Sequence, residues 1–131
     1  MSELKRRFFD LHSAAPTVIG TGSVIVGDVR SDGDCVLSGE VHGDGDLGGG
    51  LHIAVGGVWN GYIHAQEAVV AGKITGGLVV RGKLEIGYSA VIRGSVSART
   101  IAIAKGAIVD GDLEITSGTP VQNFEEKRKD D

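Results

Sequence analysis

The chain is poor in several features that shape most small proteins. Its one cysteine, Cys35, excludes an internal disulfide and points to a reducing compartment. Aromatic residues make up only 5%, so any core must be built from Val, Ile, Leu and Ala. Only two prolines occur, Pro16 and Pro120, and the hundred residues between them are free of the one residue that cannot donate to a β-ladder. No apolar run has the length of a membrane-spanning helix, and no apolar signal-peptide core follows the first basic cluster. Net charge is −4 and the thirteen Lys and Arg are not gathered on the repeats, which argues against a nucleic-acid partner. These absences predict a cytoplasmic protein of one domain, the number that 131 residues normally build.

Glycine is abundant, at 22 residues, and six of them are periodic. Gly27, Gly43, Gly61, Gly76, Gly94 and Gly111 stand 16, 18, 15, 18 and 17 residues apart. Two residues before them come Ile25, Val41, Trp59, Ile74, Ile92 and Val109; two after come Val29, Gly45, Ile63, Leu78, Val96 and Leu113. Allowing a two-residue deletion in the second and fourth repeats, a third column holds Ile19, Leu37, Ile53, Val70, Ile86 and Ile103. A fourth holds Thr17, Cys35, Leu51, Ala68, Leu84 and Ile101. Every column steps by two, the period of a strand, and the intervening residues are mainly polar, as on an outer face. Coils this short leave no room for helices.

The pattern predicts an all-β, single-domain parallel β-helix (solenoid) of about six coils, with flexible termini. Parallel crossovers favour the right-handed form. Left-handed hexapeptide solenoids keep a strict six-residue period that this sequence loses at its shortened coils. The domain limits follow the prolines: an arm over 1–16, the β-helix over 17–119 and a charged tail over 120–131. Gly45 stands where an aliphatic is expected and Gly48-Gly49-Gly50 follows, so the second coil is predicted to be the loosest. On that reading Gly45→Val stabilises the domain if the backbone accepts a side chain.

The arm contains Leu4, Lys5, Arg6, Arg7, Phe8, Phe9 and Leu11. As a helix it sets Leu4, Phe8 and Leu11 on one face with the basic residues mostly off it, a short version of an interfacial membrane segment. Many copies on one polymer would reinforce weak single contacts. The alternatives are an arm folded back over the first repeat through Phe8 and Phe9, or a disordered one.

Little in the repeats resembles a catalytic or metal centre. Gly43-Asp44-Gly45-Asp46-Leu47-Gly48 fits the dinucleotide string GxGxxG, but that fingerprint requires a helix to follow, and Leu51-His52-Ile53 reads as a strand. Asp32 and Asp34 with the same stretch hint at calcium-binding nonapeptides, which need the motif on consecutive turns. His42, His52 and His64 fall in different columns, so stacking does not assemble a zinc site. Cys35 lies in an inward column, and Tyr62 is the outward aromatic where Trp59 points in. No catalytic, cofactor or metal residues are assigned. A hexapeptide-repeat acyltransferase, suggested by Ile103-Ala104-Lys105-Gly106-Ala107-Ile108, would also need a donor-binding loop or helix that the chain lacks; a non-polymerising adaptor is the other alternative.

The ends carry the functional reading. A terminal coil exposes unpaired N–H and C=O groups and a bare apolar cross-section, which natural solenoids cover with a cap. Here Val18, Ile19, Val24 and Ile25 at one end are as apolar as the middle of the chain. So are Ile101, Ile103, Ile108, Val109, Leu113 and Ile115 at the other. The expectation is end-to-end self-assembly into filaments without a nucleotide.

The succession Thr17-Val18-Ile19-Gly20, Gly27-Asp28-Val29-Arg30-Ser31-Asp32-Gly33 and Leu37-Ser38-Gly39-Glu40-Val41-His42-Gly43-Asp44 resembles the bactofilin domain. So do Val70-Ala71-Gly72-Lys73-Ile74-Thr75-Gly76 and Ala107-Ile108-Val109-Asp110-Gly111-Asp112-Leu113. The resemblance covers all the repeats and rests on alternating long and short coils that keep the glycine. It implies a bacterial cytoskeletal scaffold that polymerises without cofactor and often sits on the inner membrane, where it positions cell-wall enzymes or other morphogenetic proteins. It also implies membrane contact through a segment such as residues 1–12.

Overall fold

The computed structural model describes residues 16–116, and in them every regular element is a strand. The first coil comprises β1 (Thr17–Ile19), β2 (Val24–Val26) and β3 (Val29–Ser31); the second comprises β4 (Cys35–Leu37), β5 (Glu40–His42) and β6 (Gly45–Leu47). Further along, β7 (Gly50–Ile53) and β9 (Glu67–Val70) keep to the first face, whereas β8 (Val58–Ala65), β10 (Lys73–Ile86) and β11 (Val91–Ile103) run through corners without a break. β12 (Ile108–Asp110) and β13 (Leu113–Ile115) close the sixth coil. All pairings are parallel and join each coil to the next, so the molecule is a three-faced parallel β-solenoid of six coils. At ~4.8 Å per coil it is a rod about 30 Å long.

All four inward columns read from the sequence are register columns of the structure. Thr17, Cys35, Leu51, Ala68, Leu84 and Ile101 pair in succession, as do Ile19 through Ile103, on the first face. Ile25 through Val109 stack on the second face and Val29 through Leu113 on the third. A fifth inward column escaped the sequence reading. Ser31 pairs with Leu47, and Ala65, Val80, Ala98 and Ile115 pair in order. It continues the step of two past the second aliphatic, but its small residues hide the pattern.

The periodic glycines form one ladder. All six take φ between +131° and +155°, where an L side chain is strained. A Cβ on any of the upper five would also run into the carbonyl of the glycine in the coil before it. The two-residue deletions are real as well. Long coils carry a four-residue turn at Gly20–Ser23, Ala54–Gly57, Gly87–Ala90 or Ala104–Ala107, each closed by an i+3 N–H to i C=O bond of 2.8 to 3.2 Å. In the short second and fourth coils a glycine replaces the turn. A Cβ on Gly39 would come within 2.5 Å of the carbonyl oxygens of Gly20 and Ser23, so the short coil tucks beneath its neighbour's turn.

Two sequence expectations need correction. The second coil is not loose: Gly45 is buried, and the space its missing side chain leaves is filled by the six-membered ring of Trp59 from the next coil. Trp59 is fully buried, and its indole N–H donates to the Gly43 carbonyl at 2.8 Å. The outer surface is also less polar than expected. Val18, Val36 and Val69 face outward on the first face, and Val24, Val58, Val91 and Ile108 on the second. β-branched residues suit a pleated surface whichever way they point, since each packs against neighbours in the coils above and below.

Candidate assembly ends

Middle coils bury their inward side chains completely, Ile53, Ile63, Val70, Ile74, Leu78 and Ile92 among them. The same columns are only partly buried where the rod stops. Ile25 and Val29 in the first coil, and Ile103, Ala107, Val109, Leu113 and Ile115 in the last, pack on the core with one side uncovered by any described residue. Ile19 and Ile101 are buried even at the ends. Val18, Val24 and Ile108, predicted with these residues, instead occupy outward positions and are 66%, 60% and 51% exposed. They border the two cross-sections rather than form them. Because Val26 is outward as well, β2 is aliphatic on both sides, a feature legible in Val24-Ile25-Val26 once the register is known.

The backbone repeats this contrast. Among the described residues, β1, β2 and β3 pair only with the second coil, and β12 and β13 only with β11. Their outer edges carry N–H and C=O groups of the kind a second strand can satisfy. The apolar rim and the strand edge coincide at both ends, so one contact could bury hydrocarbon and extend the ladder together.

The other residues singled out in the sequence are spread over the three faces. His52, His42 and His64 stand on the first, second and third faces; His42 meets Asn60 at 3.0 Å and Glu40 at 3.2 Å. The GxGxxG string is followed by β7, with its Asp44 carboxylate accepting the Tyr62 N–H at 3.1 Å. Asp34 accepts the Gly50 N–H at 2.8 Å. Cys35 is buried, and desolvation pushes its thiol pKa up, away from a reactive thiolate. Tyr62 is 61% exposed, on the third face. The proposed membrane residues Leu4, Lys5, Arg6, Arg7, Phe8, Phe9 and Leu11 lie outside the described residues, as does the tail. Among the described residues no helix is long and apolar enough to cross a membrane.

Among the described residues, end coils with partly buried apolar columns and unpaired strand edges define a class of solenoid suited to self-association. Comparison with known proteins agrees. The family model described as bactofilin, polymer-forming cytoskeletal, matches residues 17–114. The chain is 35% identical over 101 residues to bactofilin BacO of Myxococcus xanthus (strain DK1622), covering 77% of this chain and 80% of that one. No solved structure gives a significant match. The chain belongs to the bactofilin family of polymer-forming cytoskeletal proteins.

Proposed function

We propose that the chain is a cytoskeletal scaffold whose rods join end to end into filaments without nucleotide or other cofactor. The observation that carries this reading is the change from complete burial in the middle coils to partial burial at Ile25 and Val29 in the first coil and at Ile103, Val109, Leu113 and Ile115 in the last. Closing such a joint removes apolar surface from water at ~25 cal/mol per Å² and pairs two strand edges. The filament works in the cytoplasm at the inner membrane, held there by Leu4, Lys5, Arg6, Arg7, Phe8, Phe9 and Leu11 on many copies. Its role there is to position cell-wall enzymes or other morphogenetic proteins. The reading is of a structural protein, not a catalyst.

The test is electron microscopy and sedimentation of the purified chain beside Ile103→Arg and Val109→Arg. Each substitution puts a cation on the final cross-section, and both should leave short soluble species with a melting temperature near that of the parent. Long filaments from both variants would refute end-to-end assembly. Co-sedimentation with anionic vesicles, with and without Lys5→Glu and Arg6→Glu, tests the membrane role; equal recovery of both chains would refute it.

A further inference from the structure

Around the first three coils, the third face differs from the other two. Its outward positions carry Asp28 and Arg30 in the first coil, Asp44 and Asp46 in the second, and Tyr62 and His64 in the third. Together with Val29 and Gly45 these residues line a surface hollow of about 300 Å³. That volume is at the low end for ligand sites, suited to one or two side chains rather than a metabolite. Tyr62 forms one wall, lying along the rod over Gly77, where a Cβ would stand 2.7 Å from the ring. The result is a recess with three carboxylates, one guanidinium and an exposed aromatic wall.

The chain enters the solenoid beside this recess. The Thr17 N–H donates to the Asp34 carbonyl at 2.8 Å, and Thr17 Oγ1 lies 3.4 Å from Ser31 Oγ at the end of β3. Pro16 therefore stands at the corner between the first and third faces. The seven steps along the chain from Phe9 to Pro16 extend up to ~23 Å, whereas three coils span only about 10 Å. The segment Lys5-Arg6-Arg7-Phe8-Phe9 has the chemistry the recess lacks: three cations for three carboxylates, and rings or guanidinium planes to stack on Tyr62.

We propose that Lys5-Arg6-Arg7-Phe8-Phe9 docks on its own chain in the hollow lined by Asp28, Asp44, Asp46 and Tyr62. Tethering supplies an effective concentration in the millimolar range, so modest contacts are enough. A basic segment of another protein would lack that advantage, and the chain's own arm is the occupant the geometry favours. The proposal does not depend on filament assembly, and a membrane would compete with the hollow for the same five residues.

Carbodiimide coupling of the full-length chain tests it directly, because it joins the Lys5 amine only to a carboxylate in contact. A mixture of isotopically light and heavy chains separates links within one chain from links between chains. Docking predicts intramolecular Lys5 links concentrated on Asp28, Asp44 and Asp46; links spread evenly over all carboxylates, or confined to mixed pairs, would overturn it. A second readout is tryptic cleavage after Arg6 and Arg7 in the parent and in the triple variant Asp28→Asn, Asp44→Asn, Asp46→Asn. Asparagine keeps the side-chain acceptor that Asp28 offers the Asp44 N–H and Asp44 offers the Tyr62 N–H. Cleavage should be about fivefold faster in the variant if the arm is docked in about four chains of five; equal rates would overturn the proposal.

Discussion

Gly45 and Trp59 form a matched pair, and the match can be measured. A side chain on Gly45 meets no backbone obstacle, since its φ lies outside the left-handed region and its nearest neighbours are ring carbons of Trp59. Gly45→Val therefore opposes only the indole, an overpacking that costs about 1–3 kcal/mol. Trp59→Val removes a fully buried ring and the donor to the Gly43 carbonyl, a loss approaching the ~3–5 kcal/mol of a large-to-small core change. If the two changes were independent, the double variant would lose about 4–8 kcal/mol, the sum of those ranges. Instead the valine side chain introduced in place of Gly45 enters the space the ring vacates, restoring the aliphatic column of the other coils. The double variant should be less destabilised than that sum by about 1–3 kcal/mol, the coupling expected of residues in direct contact. Denaturant unfolding followed by circular dichroism, with all four chains in the same assembly state, gives the cycle. Additive costs, or a Gly45→Val chain more stable than the parent, would show that the indole does not fill the glycine's place.

Other expectations follow from the same contacts. Gly94→Ala puts a Cβ into the Gly76 carbonyl at a φ of +135°, and should lower stability by at least the ~1–3 kcal/mol of a strained backbone position, read as a fall in melting temperature. By contrast, Gly56→Ala, at positive φ in an open turn with no atom nearby, should cost only the strain. Cys35 should react with a thiol reagent only through opening of the coils, because it is buried and its pKa is raised. A native reaction rate equal to that of the unfolded chain would contradict this burial.

The fold was legible because a solenoid writes its register into the sequence. A residue stacks on its counterpart one coil away, so Ile19, Leu37, Ile53, Val70, Ile86 and Ile103 align once the deletions are placed. Three features were not legible, each for a physical reason. The fifth inward column is carried partly by Ser31, Ala65 and Ala98, which give no apolar contrast with an outer face. The filling of Gly45 by Trp59 crosses between columns, from one coil's second face to the previous coil's third, and no periodicity encodes a diagonal contact. The hollow needs Asp28, Asp44 and Tyr62 side by side, residues separated by 16 and 18 positions whose shared face appears only after stacking. At the ends, alternation separates Ile25 and Val109 from Val24 and Ile108, and composition alone had grouped them.

Charge along the rod makes a demand on assembly that the apolar cross-sections do not reveal. Residues 17–47, the first two coils, carry six carboxylates against Arg30 alone. Residues 67–99 carry five Lys and Arg against Glu67 and Glu85. The last coil is acidic again, with Asp110, Asp112 and Glu114 against Lys105. Whichever two ends meet, like charge meets like, and repulsion opposes the apolar gain. Raising ionic strength from 0.01 to 0.15 M shortens the screening length from ~30 to ~8 Å, so assembly should increase with salt across that range. The arm enters here. Docked on the first three coils, Lys5, Arg6 and Arg7 would offset about half of the acidic excess at that end. The variant Lys5→Gln, Arg6→Gln, Arg7→Gln should therefore need more salt to reach the same sedimenting fraction, and should match the parent at high salt, where the charges are screened. If the two chains assembled identically at every ionic strength, the arm would have no electrostatic part in the joint. If assembly fell as salt rose, charge attraction would dominate the end contact and the hydrocarbon account of it would be wrong.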